Sequence, residues 1–149
     1  MLIGLSRGGL YAYRFAALNP DAVSVIYGDA PVCDFKSWPG GKGKGDGSPE
    51  DWKRLITYYN FKDEQEAMES KLNPIDILPV IAQHGISIVH VVGDADTVVP
   101  FEENTAILQE RFEKLGGTIQ VYHKQNCGHH PHGLEDDSPV VDFILKHNR

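Results

Sequence analysis

Residues 1–9, Met1-Leu2-Ile3-Gly4-Leu5-Ser6-Arg7-Gly8-Gly9, place a serine between glycines at the junction of two apolar runs. The first run is typical of the end of a β-strand, and the apolar spacing over residues 8–18 predicts a buried helix, which Asn19-Pro20 ends. A G-x-S-x-G stretch at a sharp strand-to-helix turn strains the serine backbone, and its glycines let neighbouring backbone approach without a Cβ clash. Ser6 would then lie at a helix N-terminus, where backbone N–H groups can bind an oxyanion. An ordinary N-cap serine is the alternative.

The rest of the 149-residue chain continues this alternation of short β-rich runs and amphipathic helical runs. Further strands are predicted over residues 23–27, 86–92 and 118–122, and further helices over residues 63–71, 75–83, 101–115 and 138–147. The alternation predicts an α/β class, with a parallel sheet of about four strands and flanking helices in a single domain over residues 1–149.

Residues 31–74 interrupt the alternation and are predicted to form a lid or cap insertion. The segment holds a glycine-rich loop, and its glycine spacing matches neither the Walker A pattern nor G-x-G-x-x-G, so a phosphate site is not expected. Ser48 is predicted to be an N-cap, with Pro49 as the first helical residue. Trp38, Trp52, Tyr58 and Tyr59 are available in this segment to line a pocket, although buried packing is the commoner use of such residues.

Composition excludes several classes of protein. A chain with 41% hydrophobic and 23% charged residues is typical of a soluble globular protein. The net charge of −7 disfavours nucleic acid as a partner, and no run approaches the ~20 apolar residues of a membrane span. The chain as given begins with no secretion signal, so a cytoplasmic location is the default expectation.

Two further stretches follow predicted strands and carry chemistry. Asp94 and Asp96 come directly after the strand at 86–92, at the edge where parallel sheets build their sites, although either could simply cap the next helix. Residues 127–133, Cys-Gly-His-His-Pro-His-Gly, follow the last strand. Their spacing, with the acidic residues 135–137, fits no zinc motif, and Cys33 and Cys127 form no C-x-x-C pair. We therefore expect no metal and no cofactor.

Ser6, Asp96 and His129 occur in the Ser…Asp…His order of one family in particular. From residues 4–9 onward the sequence resembles the α/β-hydrolase superfamily, in the manner of bacterial esterases of the dienelactone hydrolase and prolyl oligopeptidase-like groups. Residues 93–100 resemble the acid turn of that family, and Gly128-His129 resembles its histidine loop.

The resemblance implies a serine carboxylic-ester hydrolase that works through an acyl-enzyme on a small-molecule ester. Ser6 would be the nucleophile, His129 the general base, Asp96 the residue that orients the imidazole, and the backbone N–H of Arg7 an oxyanion donor. His130 could replace His129, and Asp29 could replace Asp96.

The expected substrates are short acyl, sugar or aryl esters, with Trp38, Cys33 and His130 as substrate-binding residues. The same triad would also serve a peptidase or a thioesterase. A non-catalytic remnant that acts as a binding or assembly module is the alternative from another class.

In the family the serine turn comes near the middle of the chain, whereas Ser6 is the sixth residue here. The resemblance therefore implies a fold that lacks the usual N-terminal strands and the loop with the second oxyanion donor. A truncated clone, a self-associating short form and a separate chain with the missing half are the three explanations. We favour a homo-oligomer that covers the open sheet edge. A Cys33–Cys127 bridge is conceivable, but two reduced thiols are expected in a cytosolic chain.

Overall fold

The computed structural model of the chain describes residues 1–148, which form a four-stranded parallel sheet in the order β1-β2-β3-β4. The strands β1 to β4 run over Leu2–Leu5, Val25–Asp29, Ser87–Gly93 and Ile119–Lys124. The α/β class and the strand number are therefore as predicted. β2 ends two residues later than the sequence pattern indicates, because its parallel pairing with both neighbours continues through Asp29.

Six α-helices connect or flank these strands within the described residues. They are α1 Gly8–Leu18, α2 Pro49–Tyr58, α3 Glu64–Glu69, α4 Leu78–Gln83, α5 Thr105–Lys114 and α6 Ser138–His147. The predicted helix over 101–115 is divided into a 3₁₀ turn, Phe101–Glu103, and α5. Asn104 causes the break, because its backbone leaves the helical region and its side chain accepts hydrogen bonds from the Cys33 and Asp34 N–H groups.

The sheet lies between two helical layers, as the alternation of side chains along a strand requires. On one face, α1, α4 and α5 pack over Ile26 and Ile88, and on the other face α6 packs over Val25, Val89 and Val91. β3 is buried along its whole length, as expected for a central strand covered on both faces.

Residues 31–74 contribute most of a third apolar cluster, in which Phe35, Trp52 and Leu55 are buried. The predicted cap of α2 is confirmed, since the Ser48 hydroxyl accepts the Asp51 N–H at 3.3 Å. Asn73 ties the segment down, because its side-chain oxygen accepts the Phe35 N–H at 2.8 Å. The definition of 31–74 as a cap insertion stays a prediction.

β1 lies at one edge of the sheet and has a partner on one side only within residues 1–148. Ile3 and Leu5 of this strand are exposed, and so are the large apolar side chains of Tyr11, Phe15 and Leu18 on α1. None of the described helices is long and apolar enough to cross a membrane. Both cysteines are free thiols.

A histidine, His90, occupies the middle of β3 and is fully buried. Its Nε2 is hydrogen-bonded to the Tyr13 hydroxyl at 2.8 Å, and its Nδ1 to the Thr105 hydroxyl at 3.0 Å. Burial lowers the pKa of His90 from 6.5 to about 3, against the opposing pull of the Asp29 charge. The imidazole is therefore neutral in the folded protein at neutral pH.

We expect His90 to make the fold sensitive to acid. Between pH 6.5 and about 3 the unfolded chain binds a proton at this residue and the folded chain does not, so stability falls with falling pH by up to about 1.4 kcal/mol per pH unit. His90→Gln should flatten this dependence. Urea unfolding at a series of pH values measures it, with His147→Gln as the matched control. Equal slopes in wild type and His90→Gln would contradict the prediction.

Candidate active site

Ser6 lies in a tight turn between β1 and α1, with a φ of 50°. This left-handed backbone is uncommon for a residue other than glycine, and the surrounding hydrogen bonds hold it in place. The Ser6 N–H donates to the Asp29 carbonyl at 2.9 Å, and the Ser6 carbonyl accepts from the Val32 N–H at 2.9 Å. Arg7, and not Ser6, is the N-cap of α1, so the Ser6 hydroxyl is not used as a helix cap.

Glycine is required where the strand and the helix cross. A Cβ at Gly4 would lie 2.7 Å from the Gly8 carbonyl oxygen, which is closer than non-bonded atoms approach. Within residues 1–148 the backbone N–H of Arg7 donates to no protein acceptor. An unpaired donor beside the Ser6 hydroxyl is what an oxyanion site needs.

Asp96 lies in the turn that follows β3, and its side chain is almost fully buried. One carboxylate oxygen accepts the N–H groups of Val98 and Val99, each at 2.9 Å. The other is 2.7 Å from Nδ1 of His129. Burial alone would raise the pKa of Asp96, but the hydrogen bonds from His129 and from the two backbone groups outweigh it and hold the pKa below its usual value. Asp96 is therefore an anion at neutral pH.

His129, in the loop after β4, connects the other two side chains. Its Nε2 is 2.9 Å from Oγ of Ser6, and the opposite ring nitrogen contacts Asp96. The imidazole is one-tenth exposed and reachable from solvent. Ser6, His129 and Asp96 thus form one hydrogen-bonded chain from three separate loops, in the geometry of a nucleophile, a base and an orienting carboxylate.

The two alternatives from the sequence do not take the places of His129 and Asp96 in this hydrogen-bonded chain. His130 is exposed and contacts the rings of His129 and His132 edge to face, with centroids 5.0 and 4.7 Å apart. Among the described residues, Asp29 forms no hydrogen bond with His129. Its carboxylate is instead 2.7 Å from Nδ1 of His132, and it also accepts the Gly133 N–H and the Tyr27 hydroxyl.

The sequence pattern does not predict this second histidine–carboxylate pair. Its only signals are an aspartate at the end of a strand and a third histidine in the loop after β4. The pairing of Asp29 with His132 depends on the path of that loop, which spacing alone does not specify. Burial, the hydrogen bond to Asp29 and the negative charges of Asp29 and Asp137 raise the pKa of Tyr27 above its ordinary value.

A cavity of about 210 Å³ opens beside the serine turn. Apolar and aromatic side chains dominate its walls, which are formed by Arg7, Leu10, Tyr11, Trp38, Pro39, Asp51, Arg54, Leu55, Tyr58 and Tyr59. Trp38 therefore lies where a bound group would contact it. Cys33 does not, since it is fully buried and its thiol donates to the Pro31 carbonyl, so no surface of this residue faces a substrate.

Structures of other proteins share this fold. An acetyl xylan esterase 1 from Thermoanaerobacterium superposes on 99% of the chain with a TM-score of 0.65 and 18% identity. An acylaminoacyl peptidase from Pyrococcus horikoshii covers 97% with a TM-score of 0.70 and 14% identity. A monoacylglycerol lipase from Paleococcus ferrophilus covers 98% with a TM-score of 0.56 and 16% identity. Residues 1–148 thus have the fold of the C-terminal part of an α/β-hydrolase.

The chain spans 45% of the length of the xylan esterase, 23% of the peptidase and 68% of the lipase. No protein-family model matches the sequence, and no curated protein matches it significantly.

Gly93, the last residue of β3, is expected to fix the position of the His129 loop. A Cβ at this position would lie 2.4 Å from the carbonyl oxygens of both Cys127 and Gly128, so Gly93→Ala must displace the backbone directly before His129. We expect this variant to lose about 1–3 kcal/mol of stability, measured by chemical denaturation.

Gly8→Ala is the matched control for this variant. A Cβ there meets nothing within 4 Å, so its stability should stay within about 1 kcal/mol of wild type, in the favourable direction. A Gly93→Ala variant as stable as Gly8→Ala would show that the loop is not held in this way.

Proposed function

We propose that this chain is a serine carboxylic-ester hydrolase that works through an acyl-enzyme. The observation that carries the proposal is the hydrogen-bonded chain in which His129 lies 2.9 Å from the Ser6 hydroxyl and 2.7 Å from the Asp96 carboxylate. A serine hydroxyl is a weak nucleophile, and an adjacent oriented base is what activates it.

In the proposed mechanism, Ser6 Oγ attacks the ester carbonyl carbon while His129 Nε2 takes the hydroxyl proton. The imidazolium gives that proton to the leaving alcohol as the C–O bond breaks, which leaves an acyl group on Ser6. Water then attacks the acyl carbonyl carbon while His129 takes its proton. The bond between that carbon and Ser6 Oγ breaks, the imidazolium returns the proton to Ser6 Oγ, and the acid is released. Asp96 holds the imidazole in the required tautomer and stabilises its charged form, and remains ionised throughout.

The developing oxyanion would receive a hydrogen bond from the Arg7 N–H, which has no other acceptor among the described residues. In comparable sites one such donor contributes about 10²–10³ in turnover. The position of Arg7 at the N-terminus of α1 adds the favourable end of the helix dipole. The helix dipole acts mainly within the first turn of the helix. It would therefore stabilise the negative charge that develops on the carbonyl oxygen when Ser6 attacks.

The cavity next to Arg7 is our candidate for binding the acyl or aryl part of the substrate. Its volume of about 210 Å³ suits a short or single-ring group, and Trp38, Tyr11 and Tyr59 offer aromatic faces for packing. An ester with a short acyl chain or an aromatic ring is therefore the proposed substrate class. His130, exposed at the rim of the site, stays a prediction as a substrate contact.

Hydrolysis of p-nitrophenyl acetate tests the proposal directly. We expect turnover by the wild-type chain to fall by at least about 10³-fold in Ser6→Ala, because no other group replaces the nucleophile. Ser138→Ala, which removes an exposed serine at the start of α6, is the matched control and should keep wild-type turnover. A fluorophosphonate should add one label to wild type and none to Ser6→Ala, by intact mass.

Equal background rates in wild type and in folded Ser6→Ala would contradict the proposal and favour the non-catalytic module. A chain that takes the fluorophosphonate but cleaves peptide or thioester substrates faster than esters would retain the serine mechanism and change the substrate class. The fold is compatible with that result, since one of the structural neighbours is an acylaminoacyl peptidase.

We further propose that a second copy of the chain covers the edge formed by β1 and the exposed face of α1. The strand offers unpaired backbone groups along its outer edge, and Ile3, Leu5 and Phe15 are each about half exposed beside it. Two copies of one strand can pair edge to edge across a twofold axis, which extends both sheets and buries these side chains.

Sedimentation velocity at micromolar concentration tests this association. We expect the wild-type chain to sediment as a dimer and Ile3→Lys to sediment as a monomer, because a charge at the paired edge blocks strand addition. Leu145→Lys, an exposed leucine on α6, is the matched control and should remain dimeric. A monomeric wild-type chain would rule out the second copy as the partner.

A further inference from the structure

The histidine loop carries more imidazole than the proposed reaction uses. His129, His130 and His132 each offer one candidate ligand nitrogen, and these three atoms lie within 4.8 Å of one another. The proposed hydrolysis uses only His129 of these three. The surroundings of the other two rings therefore need an explanation of their own.

The carboxylates behind two of these rings are arranged as in a metal site. Nδ1 of His129 is 2.7 Å from Asp96, and Nδ1 of His132 is 2.7 Å from Asp29. Both carboxylates are almost fully buried, with side chains 2% exposed. Histidine ligands of metals usually donate the far N–H to a carboxylate, which fixes the tautomer and leaves Nε2 as a basic ligand atom.

The third ring, that of His130, is available as a third metal ligand. Within residues 1–148 no hydrogen bond holds the His130 ring, which is exposed and contacts the other two imidazoles through ring packing. Zinc–nitrogen bonds of about 2.0–2.1 Å place tetrahedral ligand atoms about 3.4 Å apart. Binding would require the imidazoles to move closer together, and the His130 side chain, which no hydrogen bond restrains, can rotate toward the other two rings.

We propose that His129, His130 and His132 bind a divalent transition metal ion of the zinc type, and that this ion inhibits the hydrolytic site. Imidazole is a preferred ligand of such ions, and the two buried carboxylates compensate part of the added charge. Three protein ligands leave a fourth position for water.

The ion would inhibit ester hydrolysis because it would bind the nitrogen of His129 that acts as the base. Nε2 of His129 carries the lone pair that would accept the Ser6 proton, and it lies 2.9 Å from the Ser6 hydroxyl. A metal bound to that lone pair removes the base from the reaction. Chelation of the ion restores it, so the metal would act as a reversible switch on this site. This consequence rests on the proposed function, whereas the binding site itself does not.

Zinc binding to the chain without a polyhistidine tag tests the site in the absence of any substrate. A chromophoric zinc chelator, titrated in competition with the protein, gives the stoichiometry and the dissociation constant. We expect one zinc per chain, and binding weaker by about 10- to 100-fold or more in both His130→Gln and His132→Gln. Circular dichroism and thermal unfolding establish that each variant is folded. His130 is exposed, so its variant is expected to fold as wild type does.

His123→Gln is the matched control. This histidine is also near the surface and also pairs with a carboxylate, since its Nδ1 is 2.7 Å from Asp94, but it lies outside the three-histidine cluster. The control should bind zinc as wild type does. Equal weakening in all three variants, or wild-type affinity in folded His130→Gln and His132→Gln, would overturn the proposal.

Ester hydrolysis measured over the same zinc concentrations separates the two proposals. Loss of activity along the binding curve, with recovery on addition of EDTA, supports the role of His129 as a ligand. Stoichiometric binding with unchanged hydrolysis overturns that role. Zinc binding by a chain that does not hydrolyse esters would support the metal site and contradict the proposed esterase function. Ester hydrolysis without zinc binding would support the esterase function and contradict the metal site.

Discussion

Asp29 is the residue through which the two halves of the site depend on each other. It ends β2, and its main-chain carbonyl accepts the N–H of Ser6, whose left-handed backbone would otherwise be costly. Its buried carboxylate binds His132 and the Gly133 N–H in the loop that also carries His129. One residue thus fixes the serine turn with its backbone and the histidine loop with its side chain. If the loop moved away, the buried carboxylate would lose these partners and carry a large desolvation penalty. The free energy of that penalty holds the loop in place.

The parallel sheet explains why such convergence occurs in so short a chain. Ser6 and Asp96 follow β1 and β3, Asp29 is the last residue of β2, and His129 lies in the loop after β4. The carboxyl ends of parallel strands lie at the same edge of the sheet. Side chains at or just after the ends of these four strands are therefore brought together by the sheet itself. The register also places Gly28 directly beside His90, and a Cβ at Gly28 would lie 2.7 Å from that ring. The core behind the site therefore accepts a buried imidazole only because the neighbouring strand has no side chain there.

The features predictable from the sequence are those set by local periodicity and by chain order. The α/β class, the four strands, the serine turn and the Ser48 cap depend on patterns of a few residues, and the structure confirms them. The order Ser6, Asp96, His129 identified three side chains that do lie within hydrogen-bond distance. Other features depend on side-chain contacts between distant segments. The Asn104 side chain, which binds residues 33 and 34, and the Asp29–His132 pair are examples, because no local spacing encodes a partner 70 or 103 residues away.

The same physical feature that would make His129 a good base also makes it a good metal ligand. A carboxylate that accepts the N–H of Nδ1 raises the electron density at Nε2. A nitrogen with more electron density binds both protons and metal ions more strongly, so the carboxylate alone does not favour one over the other. In a site with one histidine, metal ions bind weakly because a single ligand holds them. Here His132 has its own carboxylate, and the His130 ring contacts both other imidazoles. The distinction between proton transfer and metal binding therefore depends on His130 and His132, two residues that the proposed ester hydrolysis does not require.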